Sequence, residues 1–312
     1  MAEPLCLLEA HAHTAEVSPC GKLPAAAVVA ALAARGYGAV VITDHYFPRQ
    51  RENQRAREAF LAGIQAARAA APAGFAVLPG LEMRFAQGLE DFLVYGMDEA
   101  DIVALPDDVC ERGLAAFHAL AADRGWLVYQ AHPFRPKLAR ANPADLDGVE
   151  TFNGNPRHDS RNRLAAAFAE QHALRTIAGS DIHQAGDVGA VGLLVPEGAT
   201  RSAAAFAGYL RGTPRPTVEY EQEQVSTLRF RTGALPGRRI LLEASWSLDE
   251  DKMTILLSNL RAAPCVATAW DDTLPIGLSW IDGDGVCEAL VLPGYQSMGV
   301  EAALGRLAKG IK

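Results

Sequence analysis

Short apolar segments alternate with longer, alanine-rich amphipathic segments from residue 5 to about residue 212 of this chain. The apolar segments, each of strand length, are LCLLEA, AVVITD, FAVLPGLE, DFLVYG, WLVYQAHP, VETFN and RTIAGSDIH. The amphipathic segments between them include residues 24–35, 51–70, 107–123 and 159–173. Because strands that alternate with helices tend to pair in parallel, this pattern predicts an α/β fold with a largely parallel sheet or barrel of about seven strands.

This pattern ends at GTPRP, residues 212–216, where two closely spaced prolines disfavour both helix and sheet. We therefore expect a first domain over residues 1–212, a linker over 213–225 and a second unit over 226–312. The second unit contains the strand-like runs VSTLRFRT, CVATAW, IGLSWI and CEALVLP, a helical segment at 249–260 and a C-terminal helix. This mixture predicts a smaller α+β unit.

Length and charge restrict the function classes. With 312 residues, of which 49% are hydrophobic, the chain can bury a core without disulfides or a structural metal. Its net charge of −8 disfavours long nucleic acid and anionic membranes as partners. The longest apolar run, residues 25–34, is about half of the roughly 20 residues needed to cross a bilayer, so no span is predicted.

The N-terminus and the cysteines indicate a cytoplasmic protein. The start MAEPLCLLEAHAHT has neither the basic residues nor the apolar stretch of a secretory signal. The five cysteines are scattered and never form a CxxC pair, so they predict neither a disulfide framework nor a thiolate zinc site.

Two pairs of polar residues, each with a spacing of two, follow apolar strands. His11 and His13 come at the end of LCLLEA, and Asp181 and His183 follow RTIAGS. Since side chains alternate across a strand, residues i and i+2 point the same way and can converge on one ion. An isolated histidine is more often structural, but the repetition of this spacing favours a metal site.

Further candidate ligands stand at the ends of the intervening strands, namely His45 in ITDH, Glu82 in LPGLE and His132 in YQAHP. In an α/β sheet or barrel, the carboxyl edge of the strands is where functional sites are assembled. A set of imidazoles and carboxylates without cysteine suits Mn²⁺, Fe²⁺ or Zn²⁺ with open positions for water.

The motifs HAHT, ITDHY, LPGLE, AHP and AGSDIH together resemble the successive motifs of the PHP family, the polymerase and histidinol phosphatase superfamily, over about residues 5–212. The resemblance implies a distorted (β/α)₇ barrel with two or three divalent ions that hydrolyses phosphate esters. It implies catalytic ligands at His11, His13, Glu82 and Asp181, with a bridging Glu82 and with His45, His132 and His183 completing the cluster. Asp44 is expected to contact these ligands without binding an ion itself.

The chain departs from the family pattern at two positions. Many members carry a ligand five or six residues after the second histidine, where this chain has Ser18 and Pro19. Glu16 is the candidate replacement, although an exposed loop carboxylate is an equal alternative, and Cys20 is a weaker candidate. The segment DFLVYG supplies Asp91 where the family often has a histidine, so Asp91 is either a third-metal ligand or a hydrogen-bond acceptor.

A phosphate substrate needs positively charged side chains near the metal ions, and Arg suits bidentate recognition of phosphate. Arg135 in HPFRP is the best candidate because it lies close to His132. Other candidates are Arg84, Arg157, His158, Asn153 and Asn155. The two asparagines stand in NGN, which is equally a common turn composition.

The segment VLPGYQSMGVEAALGRL resembles the start of the acetyl-CoA motif of GNAT acetyltransferases. Gln296, Gly299 and Val300 match that motif, but Glu301 takes the small-residue position, where a carboxylate repels pyrophosphate. We expect a partial GNAT-like domain that packs on the barrel or forms a homodimer.

The function predicted first is hydrolysis of a small phosphate ester, a phosphate monoester or a nucleotide, by metal-activated water. Two alternatives remain open at this stage. One is a metal hydrolase of the amidohydrolase kind, because fold alone does not settle reaction type. The other is a metal-binding sensor or scaffold whose C-terminal unit binds a partner or acyl-CoA.

Overall fold

The computed structural model of the chain describes residues 3–48, 53–220, 228–233, 266–271, 274–281 and 287–310. The chain divides into two compact units, Met1–Gln222 and Glu223–Lys312, and this division falls inside the predicted linker of residues 213–225. The helix predicted at residues 249–260 lies outside the described residues.

The first unit contains both strands and helices throughout its length. Its strands are β1 (Leu5–Ala12), β2 (Ala39–Ile42), β3 (His45–Tyr46), β4 (Ala76–Pro79), β5 (Leu81–Arg84), β6 (Asp91–Tyr95), β7 (Leu127–Gln130), β8 (Gly148–Asn153), β9 (Arg175–Gly179), β10 (Val191–Pro196) and β11 (Thr217–Tyr220). Its α-helices are α1 (Ala25–Ala34), α2 (Gln54–Phe60), α3 (Ala62–Ala70), α4 (Glu99–Val103), α5 (Leu114–Arg124), α6 (Asn162–Gln171) and α7 (Ala203–Gly212).

Local side chains set several of the helix ends. The Asn53, Asp98 and Ser202 side chains accept hydrogen bonds from backbone N–H groups in the first turns of α2, α4 and α7. These N–H groups have no partner inside a helix, so a polar side chain at this position stabilises the helix start. Gly125 ends α5 in the left-handed conformation with φ of 74°, which glycine adopts without steric cost.

The strands form two mixed sheets. One has the order β11-β10-β1-β2-β4 and the other the order β3-β5-β6-β7-β8-β9. The pairs β1–β2, β2–β4, β3–β5, β7–β8 and β8–β9 are parallel, whereas β6 is antiparallel to both β5 and β7. The predicted α/β class is confirmed, whereas the closed seven-stranded barrel stays a prediction.

The two sheets meet at the end of β1. Ala12 forms an isolated parallel bridge with Ile182, just after β9. The His13 N–H donates to the Ile182 carbonyl at 2.9 Å, and the Ile182 N–H donates to the His11 carbonyl at 3.1 Å. The segments that carry the two predicted ligand pairs are therefore hydrogen-bonded neighbours.

A buried apolar cluster supports these strand ends. It includes Leu8 of β1, Leu93 of β6, Ile177 of β9 and Phe206 of α7, each at most 1% exposed. Burying side chains of this size stabilises the fold by about 1.5–3 kcal/mol each relative to leaving them in water. The strands that carry the predicted ligands are thus held by a filled core.

In the second unit, the described strands form one antiparallel sheet with the order β12 (Leu228–Gly233), β13 (Val266–Asp271), β14 (Leu274–Ile281) and β15 (Cys287–Val291). The helix α8 (Val300–Gly310) packs against this sheet, with Leu304 and Ala308 fully buried. The GNAT-like identity of this unit stays a prediction. Among the described residues we find no helix with the length and hydropathy that a membrane span needs.

Gly179 of β9 lies so close to β1 that a Cβ added to it would stand 2.4 Å from the Cβ of His11. We expect Gly179→Ala to lower the free energy of unfolding by about 1–3 kcal/mol, because overpacking forces shifts in a filled core. The matched control is Gly208→Ala in α7, where nothing lies within 4 Å and where alanine should stabilise by about 0.5–1 kcal/mol. Chemical unfolding followed by circular dichroism measures both, and equal effects would contradict the close approach.

Candidate metal centre

Glu82 lies at the centre of four imidazoles. Its Oε1 is 3.4 Å from His11 Nε2 and 3.2 Å from His132 Nε2. Its Oε2 is 3.3 Å from His13 Nε2 and 3.0 Å from His45 Nδ1. All five side chains are at most 10% exposed, so the polar atoms face one another away from bulk water.

Asp181 contacts two of these histidines, His11 and His13, and also His183. Its Oδ1 lies 3.4 Å from His11 Nε2 and 3.3 Å from both His13 Nε2 and His183 Nδ1. Asp181 has a φ of 54°, and His132 has a φ of 30°. Positive φ values cost energy for residues with a side chain and recur at functional sites, where the surrounding structure holds them.

These residues fit a divalent cation. Their ligand atoms form three groups within 4.8 Å, which are His13, His45 and His183, then His11, His13 and Glu82, then His45, Glu82 and Asp91. Two ligand atoms that each lie about 2.1 Å from one ion are separated by roughly 3–3.5 Å at angles of about 90–110°. The separations around Glu82 and Asp181 agree with this. Glu82 Oε1, His45 Nδ1 and His132 Nδ1 are also buried, and none of them has a neighbour with the geometry of a hydrogen bond.

The charges of this cluster are strongly coupled. Burial and the nearby charge of His45 lower the pKa of His13 to about 3. Burial also lowers the pKa of His45, but the Glu82 carboxylate outweighs it and raises that pKa to about 10. Burial raises the pKa of Glu82, yet the imidazoles of His45 and His11 hold it well below its usual value. Protons on some imidazoles thus balance the buried carboxylates, a charge that a metal ion can supply instead.

Glu150 is a functional candidate that the sequence did not reveal. It lies in β8 and is 1% exposed. Its Oε1 is 2.8 Å from His11 Nδ1, and its Oε2 accepts from the His132 N–H at 2.9 Å. A carboxylate on Nδ1 fixes the ring and leaves Nε2 free for a metal. The only sequence signal is a lone acidic residue inside the apolar run VETF.

Asp44 interacts with the candidate ligands indirectly, through a hydrogen-bond network. It accepts hydrogen bonds from the Thr14 N–H at 2.7 Å and from the Ser18 hydroxyl at 2.6 Å. The same Ser18 Oγ accepts from the His45 N–H and lies 3.2 Å from His13 Nδ1. Asp44 therefore reaches two histidines through Ser18. A Cβ at Gly63 would stand 2.4 Å from Asp44 Oδ2, so this part of α3 has to approach without a side chain.

The structure does not bring Glu16 to the cluster. Its exposed carboxylate accepts from the Ala25 N–H with both oxygens, at 3.0 and 2.9 Å. Pro24 precedes α1 and has no side chain that could satisfy this N–H. Glu16 takes that role, in which a negative charge also interacts favourably with the helix N-terminus.

Cys20 belongs to none of the three groups of ligand atoms. Its side chain is exposed. Burial raises the pKa of its thiol, but interaction with the imidazoles of His183 and His45 outweighs that effect and lowers it to about 6.

Asp91 reaches the cluster but is already paired. It groups with His45 and Glu82, and its two oxygens accept from Arg84 Nε at 2.8 Å and Nη2 at 2.7 Å. Burial and then the Glu82 charge raise the pKa of Asp91. The antiparallel pairing of β5 with β6 places Arg84 opposite Asp91, which the expectation of parallel strands had not included.

The predicted substrate residues divide into two sets. Arg135 Nη2 donates to Asp181 Oδ2 at 2.5 Å and to Asn153 Oδ1 at 2.8 Å, which brings both residues to the centre. His158 is exposed, and burial of part of its ring and then the nearby Arg135 charge lower its pKa.

The second set, Arg157 and Asn155, forms hydrogen bonds with other residues of the protein. Arg157 donates to both oxygens of the buried Asp187, at 3.2 and 2.9 Å. Asp187 in turn accepts from the His183 N–H at 3.1 Å. The Asn155 amide donates to the Asp181 carbonyl at 3.0 Å. These residues hold the loop that carries Asp181 and His183.

We expect Glu150→Gln to weaken metal binding by about 10- to 100-fold, the range seen when a partner behind a ligand is lost. The loss of negative charge at His11 Nδ1 is the physical reason. Competition with a chromogenic chelator measures the dissociation constant. Glu170→Gln, an exposed change of the same kind on α6, is the control and should leave the constant unchanged. Equal constants for both variants would show that Glu150 does not support the centre.

Comparisons with known proteins concern one segment and the fold. Residues 159–213 match the PHP-associated family. No curated protein matches the chain.

Similar solved structures are distant. They include an amidohydrolase from Chromobacterium violaceum with bound sulfate and no metal (17% identity, TM-score 0.39, 58% of this chain and 89% of that chain covered). They include a two-domain protein from Bacteroides vulgatus containing a predicted PHP-like metal-dependent phosphoesterase (14%, 0.47, 90% and 77%). A third is a lesion-specific endonuclease from Pyrococcus furiosus (14%, 0.42, 61% and 52%).

These identities and TM-scores are too low to assign a function to this chain from the three structures. The family match stands independently of them, and the segment that it covers contains Asp181 and His183. This part of the chain is therefore similar to PHP-associated sequences.

Proposed function

We propose that the chain is a metal-dependent phosphoesterase that hydrolyses a small phosphate ester with two or three divalent ions, Mn²⁺, Fe²⁺ or Zn²⁺. The observation that carries this proposal is the buried convergence of His11, His13, His45 and His132 on Glu82, with Asp181 completing it. The match of residues 159–213 to the PHP-associated family supports it.

Bound divalent ions supply Lewis acidity and lower the pKa of water, the chemistry that phosphate ester hydrolysis needs. In this proposal Glu82 would help to hold the ions with both carboxylate oxygens, since these face different histidines. Asp181 divides its oxygens in the same way, with Oδ1 toward the histidines and Oδ2 toward Arg135.

Arg135 is the residue proposed to bind phosphate. Its side chain is 15% exposed, and its hydrogen bonds to Asp181, Asn153 and Ser160 hold the guanidinium beside the ligands. A planar guanidinium next to the ions suits the non-bridging oxygens of a phosphoryl group. His158, with its lowered pKa, is largely neutral near pH 7 and offers a hydrogen bond at the same rim.

The size of the substrate is inferred from the charge of the whole chain. A net charge of −8 disfavours long nucleic acid, which requires many phosphate contacts. The proposed substrate is therefore a phosphate monoester or nucleotide.

We also propose the closed barrel, the identity of the second unit and the cellular location that the sequence predicts. The Ala12–Ile182 bridge between β1 and the segment after β9 supports a closed barrel of PHP type. For the second unit we retain the prediction of a partial GNAT-like domain that packs on the barrel or forms a homodimer. We also retain a cytoplasmic setting, in which thiols such as Cys20 stay reduced.

Metal content and phosphate release test the centre together. The full chain should hold at least one transition metal and release phosphate from a panel of monoesters and nucleotides. His13→Ala and Asp181→Asn should lower this rate by more than about 100-fold, beyond the effect of losing a residue behind the ligands. His172→Ala, an exposed histidine at the end of α6, is the control. Bound metal without phosphate release would favour a sensor or scaffold, and absence of metal would defeat the centre.

Arg135→Ala should lower kcat/KM for phosphate release by about 10- to 100-fold, because a charge-assisted hydrogen bond is worth about 1.5–3 kcal/mol. Arg135→Lys keeps the charge without the planar fork and should recover part of the loss. Arg201→Ala, an exposed arginine, is the control. Metal content is measured in each variant, and an unchanged kcat/KM in Arg135→Ala with full metal content would contradict the phosphate-binding role.

A further inference from the structure

Asp91 is paired with Arg84 through the register of two neighbouring strands. β5 and β6 are antiparallel, and their register sets Arg84 directly opposite Asp91. The guanidinium donates from Nε at 2.8 Å and from Nη2 at 2.7 Å, so each Asp91 oxygen accepts one hydrogen bond. Two such hydrogen bonds between ionised groups are stronger than neutral ones and fix the geometry of the pair. The Asp91 side chain is only 6% exposed, so water competes little with Arg84 for its oxygens.

The Arg84 guanidinium is also held across its face. Its Cζ lies 4.9 Å from the centroid of the Phe47 ring. The Phe47 ring in turn stacks on the ring of the proposed ligand His45, with 4.6 Å between centroids and 21° between planes. A cation over an aromatic face is attracted by the charge distribution of the ring. Asp91 at the edge and Phe47 at the face thus fix a positive charge beside the centre.

Asp91 decides whether the group of His45, Glu82 and Asp91 can hold an ion of its own. His45 and Glu82 each belong to a second group of ligand atoms as well. Among the described residues, Asp91 is therefore the one member of this group that no other group shares. An ion bound here in addition to ions in the other two groups would need Asp91 as its own ligand.

The two arginine–aspartate pairs of the centre differ in what they leave for an ion. Arg135 donates to one oxygen of Asp181, Oδ2, and leaves Oδ1 facing His13 Nε2 at 3.3 Å. Arg84 donates to both oxygens of Asp91. An ion bound to Asp91 would lie within a few ångströms of the guanidinium, and two positive charges at that separation repel each other. The carboxylate charge that would attract this ion is already neutralised.

We propose that the Arg84 guanidinium takes the place of a third ion and that the centre binds two divalent ions. This inference rests on the proposed metal centre and specifies how many ions it holds. A guanidinium is always charged in proteins, so this part of the centre keeps a permanent cation. The Arg84 side chain is 32% exposed and can approach a phosphate oxygen of the substrate. A guanidinium cannot activate water as a metal ion does, so that step is left to the two ions.

The test counts the Mn²⁺ ions bound per full chain, by equilibrium dialysis and elemental analysis. We expect two ions in the unaltered chain. Arg84→Met removes the charge and keeps an apolar side chain against Phe47, so Asp91 is freed and a third ion should bind. The double variant Arg84→Met with Asp91→Asn should return to two ions, because the third ligand has lost its charge. The control is Arg112→Met, which removes an exposed arginine from its pair with Asp108 and should keep two ions.

Asp91→Asn alone is an independent test that does not require Arg84→Met to fold. It should keep two ions with dissociation constants within about tenfold of the unaltered chain, a smaller change than the loss of a group that contacts a ligand causes. Three ions in the unaltered chain, two ions in folded Arg84→Met, or the loss of an ion in Asp91→Asn would overturn the role of Arg84 and leave the centre standing. No Mn²⁺ bound to the unaltered chain would overturn the centre and this inference together.

Discussion

Two backbone hydrogen bonds join the end of β1 to the segment after β9, and the candidate centre depends on them. His13 and Ile182 share one, and Ile182 and His11 share the other. Because side chains alternate along extended backbone, this pairing sets His11 and His13 beside Asp181. Residues about 170 positions apart in the chain become neighbours, and Gly179 permits the approach because it has no Cβ to meet His11.

The cost of this arrangement is the burial of several charges. Glu82, Asp181 and Glu150 are each about 1% exposed, and an isolated buried carboxylate would be strongly destabilising. The surrounding imidazoles offset that cost, as the raised pKa of His11 and the lowered pKa of Asp181 show. For both groups burial acts in the opposite direction and is outweighed by the charge partners. A cation bound at the proposed centre would take over this balancing role, and metal binding would then also stabilise the fold.

The candidate ligands could be predicted because each lies at or soon after the end of an apolar strand segment, and strand periodicity is a local property. His45, Glu82 and His132 converge for this reason. Glu16, for which a ligand and a loop carboxylate were equal alternatives, instead accepts from the first N–H of α1, a role that depends on a helix start without its own acceptor. Glu150 could not be recognised, since only the register of β8 against its neighbours brings it under His11. The pairing of Arg84 with Asp91 required the antiparallel β6.

The residues that contact the Nδ1 atoms of His11 and His13 differ, and this distinguishes two halves of the centre. His11 Nδ1 is bonded to a carboxylate, Glu150, which makes its ring more basic, whereas His13 Nδ1 meets the hydroxyl of Ser18. Glu150 adds a carboxylate beside His11, whereas the group of His13, His45 and His183 consists of imidazoles alone. Hard ions prefer oxygen ligands and softer ions prefer nitrogen and sulfur. The two halves of the proposed centre should therefore differ in metal affinity.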